Sequence, residues 1–318
     1  MKYIATVNFK KIISCTKECL NDFPIKISGV SGTLMMPRLP NPFVETDDRN
    51  YPPLISPRPN INFQMYDAPI DWGDVFQFPE GESTVKSAII EFSDIHDPEK
   101  AKSQQIYKDF GLWVDLVEQY VSLQTKQNAY RRFSIKSNYN GVNIYSSTQD
   151  SFERIQDNSH PSFAISIGGN DELLQKTQFE FALNCASNRL PLKQEYNMLL
   201  DAYNANAKGD YRKALIDAAS AVEIGLTSRI VSEFRNQGIS FGTNLLKKFQ
   251  MLSGRLELLK IVGVSIPDRN YQNNIIEPRN KAIHKGAFPT EEETRTALKE
   301  ASQLLTFLSS EINEQTPA

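Results

Sequence analysis

Arg279 and His284 stand close together in the run Glu277-Pro278-Arg279-Asn280-Lys281-Ala282-Ile283-His284-Lys285-Gly286, and their side chains are of types that can act on a phosphodiester. A guanidinium offers a planar fork of N–H donors that matches phosphate oxygens and stays charged at any working pH. An imidazole titrates near neutrality and can move a proton to or from an attacking or leaving oxygen. Asn280 can hydrogen-bond a phosphate, a ribose hydroxyl or the imidazole. Lys281 and Lys285 add positive charge that a polyanion would feel. RNA brings its own nucleophile, the 2′-hydroxyl, so such a site calls for no metal and no cofactor. The protein must align the chain, take a proton and stabilise the crowded phosphorus centre.

These groups need a helix to hold them. Gly286 is a natural helix stop, able to take the left-handed conformation. Pro278 either occupies the first turn, where its missing N–H costs nothing, or kinks a helix that began near Tyr271. On either reading residues 279–285 form one short helical piece. Asn280 and His284, four apart, share a face, and the long side chain of Arg279 can sweep toward the same groove. Ala282 and Ile283 can pack inward.

The surrounding sequence predicts a helical domain over residues 171–318. Residues 172–184 and 192–207 are its first two candidate helices. Asp210 then reads as an N-cap for a long helix carrying Tyr211, Ala214, Leu215, Ala218, Val222, Leu226 and Ile230 on one face. One helix is expected over 244–262, with Leu245, Leu246, Phe249, Leu252, Leu256 and Leu259 inward. The last begins at a capping box, Thr290 with Glu293, and carries Ala297, Leu298, Ala301, Leu304, Leu305, Leu308 and Ile312. About four core helices in an antiparallel bundle are expected.

Residues from about 192 to 312 resemble a HEPN (higher eukaryotes and prokaryotes nucleotide-binding) domain. Arg279-Asn280-Lys281-Ala282-Ile283-His284 matches the family's R-N-x3-H signature. The run from Gly209 to Glu223 resembles its early helix, Ala-rich with an acidic residue near the middle. The resemblance implies a two-fold homodimer that brings two motif helices into one cleft. It also implies metal-independent endoribonuclease activity of the kind found in toxin–antitoxin, anti-phage and stress systems. In that reading Arg279 stabilises the phosphorane, His284 is the general acid or base, and Asn280 positions the substrate. Relatives lacking the signature serve as binding or scaffolding modules, so a non-catalytic dimerisation or nucleotide- or RNA-binding module is the alternative. Glu223 is a supporting candidate: a second acid/base group or an orienting partner for Arg279 or His284, or else a surface ion pair with Arg229 or Arg212.

Residues 1–170 read differently, with Pro, Asn, Asp and short β-prone runs dominating. Candidate strands are 3–10, 25–35, 61–66, 75–78, 85–92, 132–136, 142–145 and 163–167. One amphipathic helix over 106–123 carries Phe110, Trp113, Val114, Leu116, Val117, Tyr120 and Val121, a stripe suited to covering a sheet. The fold class expected is therefore α+β, a β-rich N-terminal domain followed by a HEPN-like helical bundle. The N-terminal domain would sense a trigger or bind a protein partner.

Composition narrows the setting. A net charge of −3 gives no global positive field, so a polyanion must be held locally. No apolar run of about 18 residues exists to span a membrane, and the first residues read as a strand rather than a signal peptide. The three cysteines make no disulfide framework, which points to a reducing cytoplasm. Cys15 and Cys19 lack a second ligand pair nearby for zinc and read as half-buried thiols. His96 and His160 read as loop residues. Tyr130-Arg131-Arg132-Phe133 interleaves bases with aromatics but reads first as a helix-end cation pair before a strand. Trp72 and Trp113 read as core. Gly168-Gly169 opens no phosphate-binding glycine pattern.

Overall fold

The computed structural model describes residues 2–37, 64–65, 68–69, 73–77, 82–92, 100–126, 142–147, 152–157 and 172–313. The expected strands 132–136 and 163–167 lie outside these residues. So do Trp72, His96, His160, Tyr130-Arg131-Arg132-Phe133 and Gly168-Gly169. The architecture is α+β: an N-terminal antiparallel sheet followed by a helical region. Two compact units divide between Pro191 and Leu192 rather than at residue 170.

In the first unit the strands are β1 (Lys2–Cys15), β2 (Asp22–Ile27), β3 (Val30–Met35), β4 (Gln64–Met65), β5 (Ala68–Pro69), β6 (Gly73–Gln77), β7 (Glu82–Phe92), β8 (Val142–Ser147) and β9 (Phe152–Asp157). Among the described residues one sheet runs β2-β3-β7-β1-β8-β9, with β6 also paired to β7, and β4 and β5 pair separately. Tyr3, Ala5, Val7 and Phe9 of β1 are buried on one face, and Thr6 between them is buried as well, as suits a strand paired on both edges. The segment 25–35 is a hairpin rather than one strand. Ser28 (φ 53°) and Gly29 (φ 80°) are both left-handed, the conformation that a tight two-residue turn needs. Strand β9, FERIQD, was not expected: it is charge-rich, as suits the edge of a sheet.

Helix α1 (Ala101–Thr125) packs on the sheet through the expected stripe, with Phe110, Trp113, Val117 and Val121 almost fully buried. Helix α2 (Lys176–Ser187) belongs to this same unit. Phe179 meets Phe23 of β2 edge-on at 5.1 Å, and Phe181 meets Tyr120 of α1 at 5.7 Å. Just before α2, Leu174 joins the end of β1: its N–H donates to Ser14 O at 3.0 Å and its carbonyl accepts from Thr16 N at 3.1 Å. The Cys19 thiol donates to the same carbonyl at 3.1 Å, and Cys15 and Cys19 are fully buried rather than half-buried.

The second unit contains α3 (Gln194–Ala207), α4 (Tyr211–Asn236), α5 (Gly242–Lys248), α6 (Leu252–Ile261), a π-helical turn (Gln272–Ile276), α7 (Glu277–His284) and α8 (Glu291–Asn313). Helix α4 is its spine, packed against every other helix of the unit. Its small residues permit that approach. A Cβ at Gly225 would lie 2.4 Å from Leu305 Cδ2 of α8, closer than carbon atoms can come. Asp210 caps α4, accepting from Lys213 N at 3.1 Å. The capping box of α8 is present in both directions: Thr290 N to Glu293 Oε2 at 2.8 Å and Glu293 N to Thr290 Oγ1 at 3.2 Å. The α8 stripe from Ala297 to Leu308 is buried, and Ile312 lies beyond the described side chains.

The expected single helix 244–262 is broken into α5 and α6. Phe249 folds over the first turn of α6, its Cα 3.4 Å from where a Cβ of Gly254 would be. Leu252, Leu256 and Leu259 are buried, whereas Leu245, Leu246 and Phe249 are only half-buried. The break lets two short stripes take different directions. Among the described residues no helix is long and apolar enough to cross a membrane.

Candidate functional site

The motif helix α7 is anchored from its N-terminal side by buried Tyr271, Ile275 and Ile276. Burial raises the Tyr271 phenol above its usual value, so it stays a neutral anchor. The helical path begins at Tyr271 and widens into a π turn immediately before Pro278, with Glu277 N donating five residues back to Gln272 O. Proline lacks an N–H and crowds the carbonyl four residues earlier, and the wider turn gives it room. Both alternatives for Pro278 therefore hold together: it sits in the first turn of α7 and marks a distortion in a helical path from Tyr271.

One side of α7 is committed to the core. Ala282 is fully buried in a cluster with Leu215 of α4 and Ala297 of α8. Arg212 of α4 donates from Nε to Ala282 O at 3.1 Å, tying the backbone of α7 to the spine. Ile283 is half-buried, in keeping with an inward lean. At the far end Gly286 is left-handed (φ 63°), and Ala287 N folds back to Lys281 O at 3.2 Å.

The rest of the helix surface meets solvent. Asn280, Lys281, His284 and Lys285 are exposed and Arg279 is half-exposed. Arg279 donates from a terminal guanidinium nitrogen to Asn280 Oδ1 at 3.1 Å, so the amide oxygen is used on the guanidinium. Among the described residues no hydrogen bond or ion pair engages the side chains of His284, Lys281 or Lys285, and none joins His284 to Arg279. The three basic residues lie toward the C-terminal end of α7, where the helix dipole favours positive charge.

Glu223 lies apart from this group. Its carboxylate pairs with Arg255 of α6 at 3.1 Å, and Arg255 also donates to Glu223 O at 3.0 Å and to Thr227 Oγ1. The partner is neither Arg212 nor Arg229, and the structure does not bring Glu223 to Arg279 or His284. Arg229 forms its own buried pair with Glu233 at 2.8 Å. Lys213 is bonded to Asp217, whose carboxylate raises the Lys213 ammonium above its ordinary value, so that cation is spent within α4.

Two neighbours of the site have roles that the sequence did not point to. Arg212 carries the link to Ala282, a role different from the Glu223 pairing considered for it from sequence. Phe288 is 85% exposed, three residues after Lys285, and its signal is an aromatic set between Gly286 and Pro289. Comparison with family models, with curated proteins and with solved structures returns no match, so the geometry of the chain itself carries the functional reading.

Proposed function

We propose that the chain is a metal-independent endoribonuclease that acts as a cytoplasmic homodimer. Its helical unit would be a HEPN-like bundle serving in anti-phage defence or a toxin–antitoxin or stress system, and its β-rich unit would receive a trigger or partner. The observation that carries this reading is that α7 is anchored in the core at one position while its motif side chains reach solvent. Ala282 is locked into the core while Asn280 and His284 are exposed and Arg279 half-exposed, beside two exposed lysines whose side chains have no partner among the described residues.

In the proposed reaction a His284 imidazole takes the proton of a 2′-hydroxyl and the oxygen attacks the adjacent phosphorus. The bond from phosphorus to the 5′-oxygen breaks, and that oxygen takes a proton from the imidazolium of the second copy's His284. The products are a 2′,3′-cyclic phosphate and a 5′-hydroxyl. Arg279 stabilises the charge that builds on the phosphorane oxygens. Asn280 steers the guanidinium and can yield it to a phosphate.

The second reading is a non-catalytic binding module, favoured by the absence of any orienting partner on His284 among the described residues. Incubating the purified chain with total RNA in EDTA, beside Arg279→Ala and His284→Ala, separates the two. Cleavage by the wild type that both variants lose, with cyclic-phosphate ends, supports the nuclease. Equal cleavage by all three, or none from the wild type, leaves the binding module.

A further inference from the structure

Among the exposed large hydrophobic side chains of the described residues, Phe288 is the most exposed. Burying a phenyl ring is favourable relative to water, and this position forgoes nearly all of that gain. The backbone around it is nonetheless tightly set. Gly286 turns the chain through a left-handed conformation, and Ala287 N is bonded to Lys281 O, which folds the segment against the last turn of α7. Pro289 restricts Phe288 to an extended backbone, and Thr290 is fixed by the α8 capping box. The ring is held in water by a braced turn.

Its surroundings are chosen by charge. Lys281, His284 and Lys285 are exposed on the helix that this turn folds against. The carboxylates at the start of α8 are largely occupied: Glu291 by Arg295 at 2.7 Å and Tyr211 at 3.2 Å, and Glu293 by the cap. An aromatic face beside unpaired cations is the arrangement that binds single-stranded nucleic acid, with the cations on phosphates and the ring under a base. The other exposed hydrophobics of this unit, Phe241, Met251 and Ile261, sit on α5 and α6 or at their ends rather than in the turn after the motif helix.

We propose that Phe288 is a base-stacking platform that seats an unpaired RNA base next to the phosphate gripped by Arg279 and Lys285. The inference rests on the reading of α7 as an RNA-binding helix. It adds a preference for single-stranded RNA with an unstacked base at the cut. A protein partner covering the same ring is the competing occupant.

The test uses the full chain with a fluorescent 2′-O-methyl oligouridylate. This RNA has no free 2′-hydroxyl and cannot be cut, so binding is read independently of cleavage. Phe288→Ala is expected to weaken binding about tenfold or more, Phe288→Trp to retain it, and neither to alter the salt slope. Lys281→Ala with Lys285→Ala is expected to flatten that slope. Unchanged binding by Phe288→Ala overturns the platform, as does a loss of dimer mass in light scattering, which would place the ring in a protein contact. Phe288-dependent binding without cleavage of natural RNA supports the platform and removes the nuclease. Cleavage with Phe288-independent binding does the reverse.

Discussion

The Glu223 carboxylate is held by Arg255 at 3.1 Å while Arg255 also spans Glu223 O and Thr227 Oγ1, so one guanidinium pins α6 to the middle of α4. That pairing gives Glu223 a structural partner whose contribution to stability can be measured. Glu223→Ala should lower unfolding free energy by about 1–2 kcal/mol, because it leaves a largely buried guanidinium short of its charge-assisted partner. Denaturant melts check the loss, and cleavage per folded molecule should be unchanged. A variant that melts normally but no longer cuts would return Glu223 to the active centre. That Arg279, Asn280 and His284 share one short helix was legible in sequence, because the spacing and the Gly286 stop are local signals. The partner of Glu223 was not, since Arg255 lies on another helix and only packing brings it across. Arg212 and Arg229 were nearer in sequence, yet Arg212 turns to Ala282 O and Arg229 to Glu233.

Helix α7 has eight residues, too few to be stable alone, so its place depends on what it docks against. The dock is the fully buried trio Leu215, Ala282 and Ala297, reinforced by Arg212. Ala282→Leu would force three more carbons into that space, costing about 1–3 kcal/mol and pushing α7 off the spine. Thermal melting should fall modestly while RNA cleavage falls far more, because the outer face turns with the inner one. Full activity from this variant would show that the position of α7 on α4 does not matter to the reaction. The elements with explicit end signals were readable beforehand: the Asp210 cap, the Thr290–Glu293 box and the stripes of α1, α4 and α8. Those set by long-range packing were not. The break at Phe249 depends on a close approach to Gly254, and the turn in 25–35 was hidden because Ser28-Gly29 interrupts a run of β-prone residues.

At the scale of the molecule, the change in composition near residue 170 does not mark the division between units, because α2 packs with α1 and β2 through Phe179 and Phe181. Helical character is a local property of sequence, whereas membership of a core depends on which aromatic rings meet. The same distinction bears on the proposed active centre. Within one chain Arg279 is bonded to Asn280, and among the described residues nothing joins it to His284. One motif helix therefore supplies the groups without closing a site around a phosphate. If two copies share each centre, a His284→Ala chain that pairs with a wild-type chain should silence it. Exchanging wild type with a threefold excess of His284→Ala should then reduce cleavage per wild-type chain to about a quarter, the fraction still paired with its own kind. Self-contained chains would keep full activity at any excess. The measurement is a cleavage rate at constant wild-type concentration, with subunit exchange verified by differently tagged chains. A flat response would mean that each α7 acts alone and that dimerisation has no part in the chemistry.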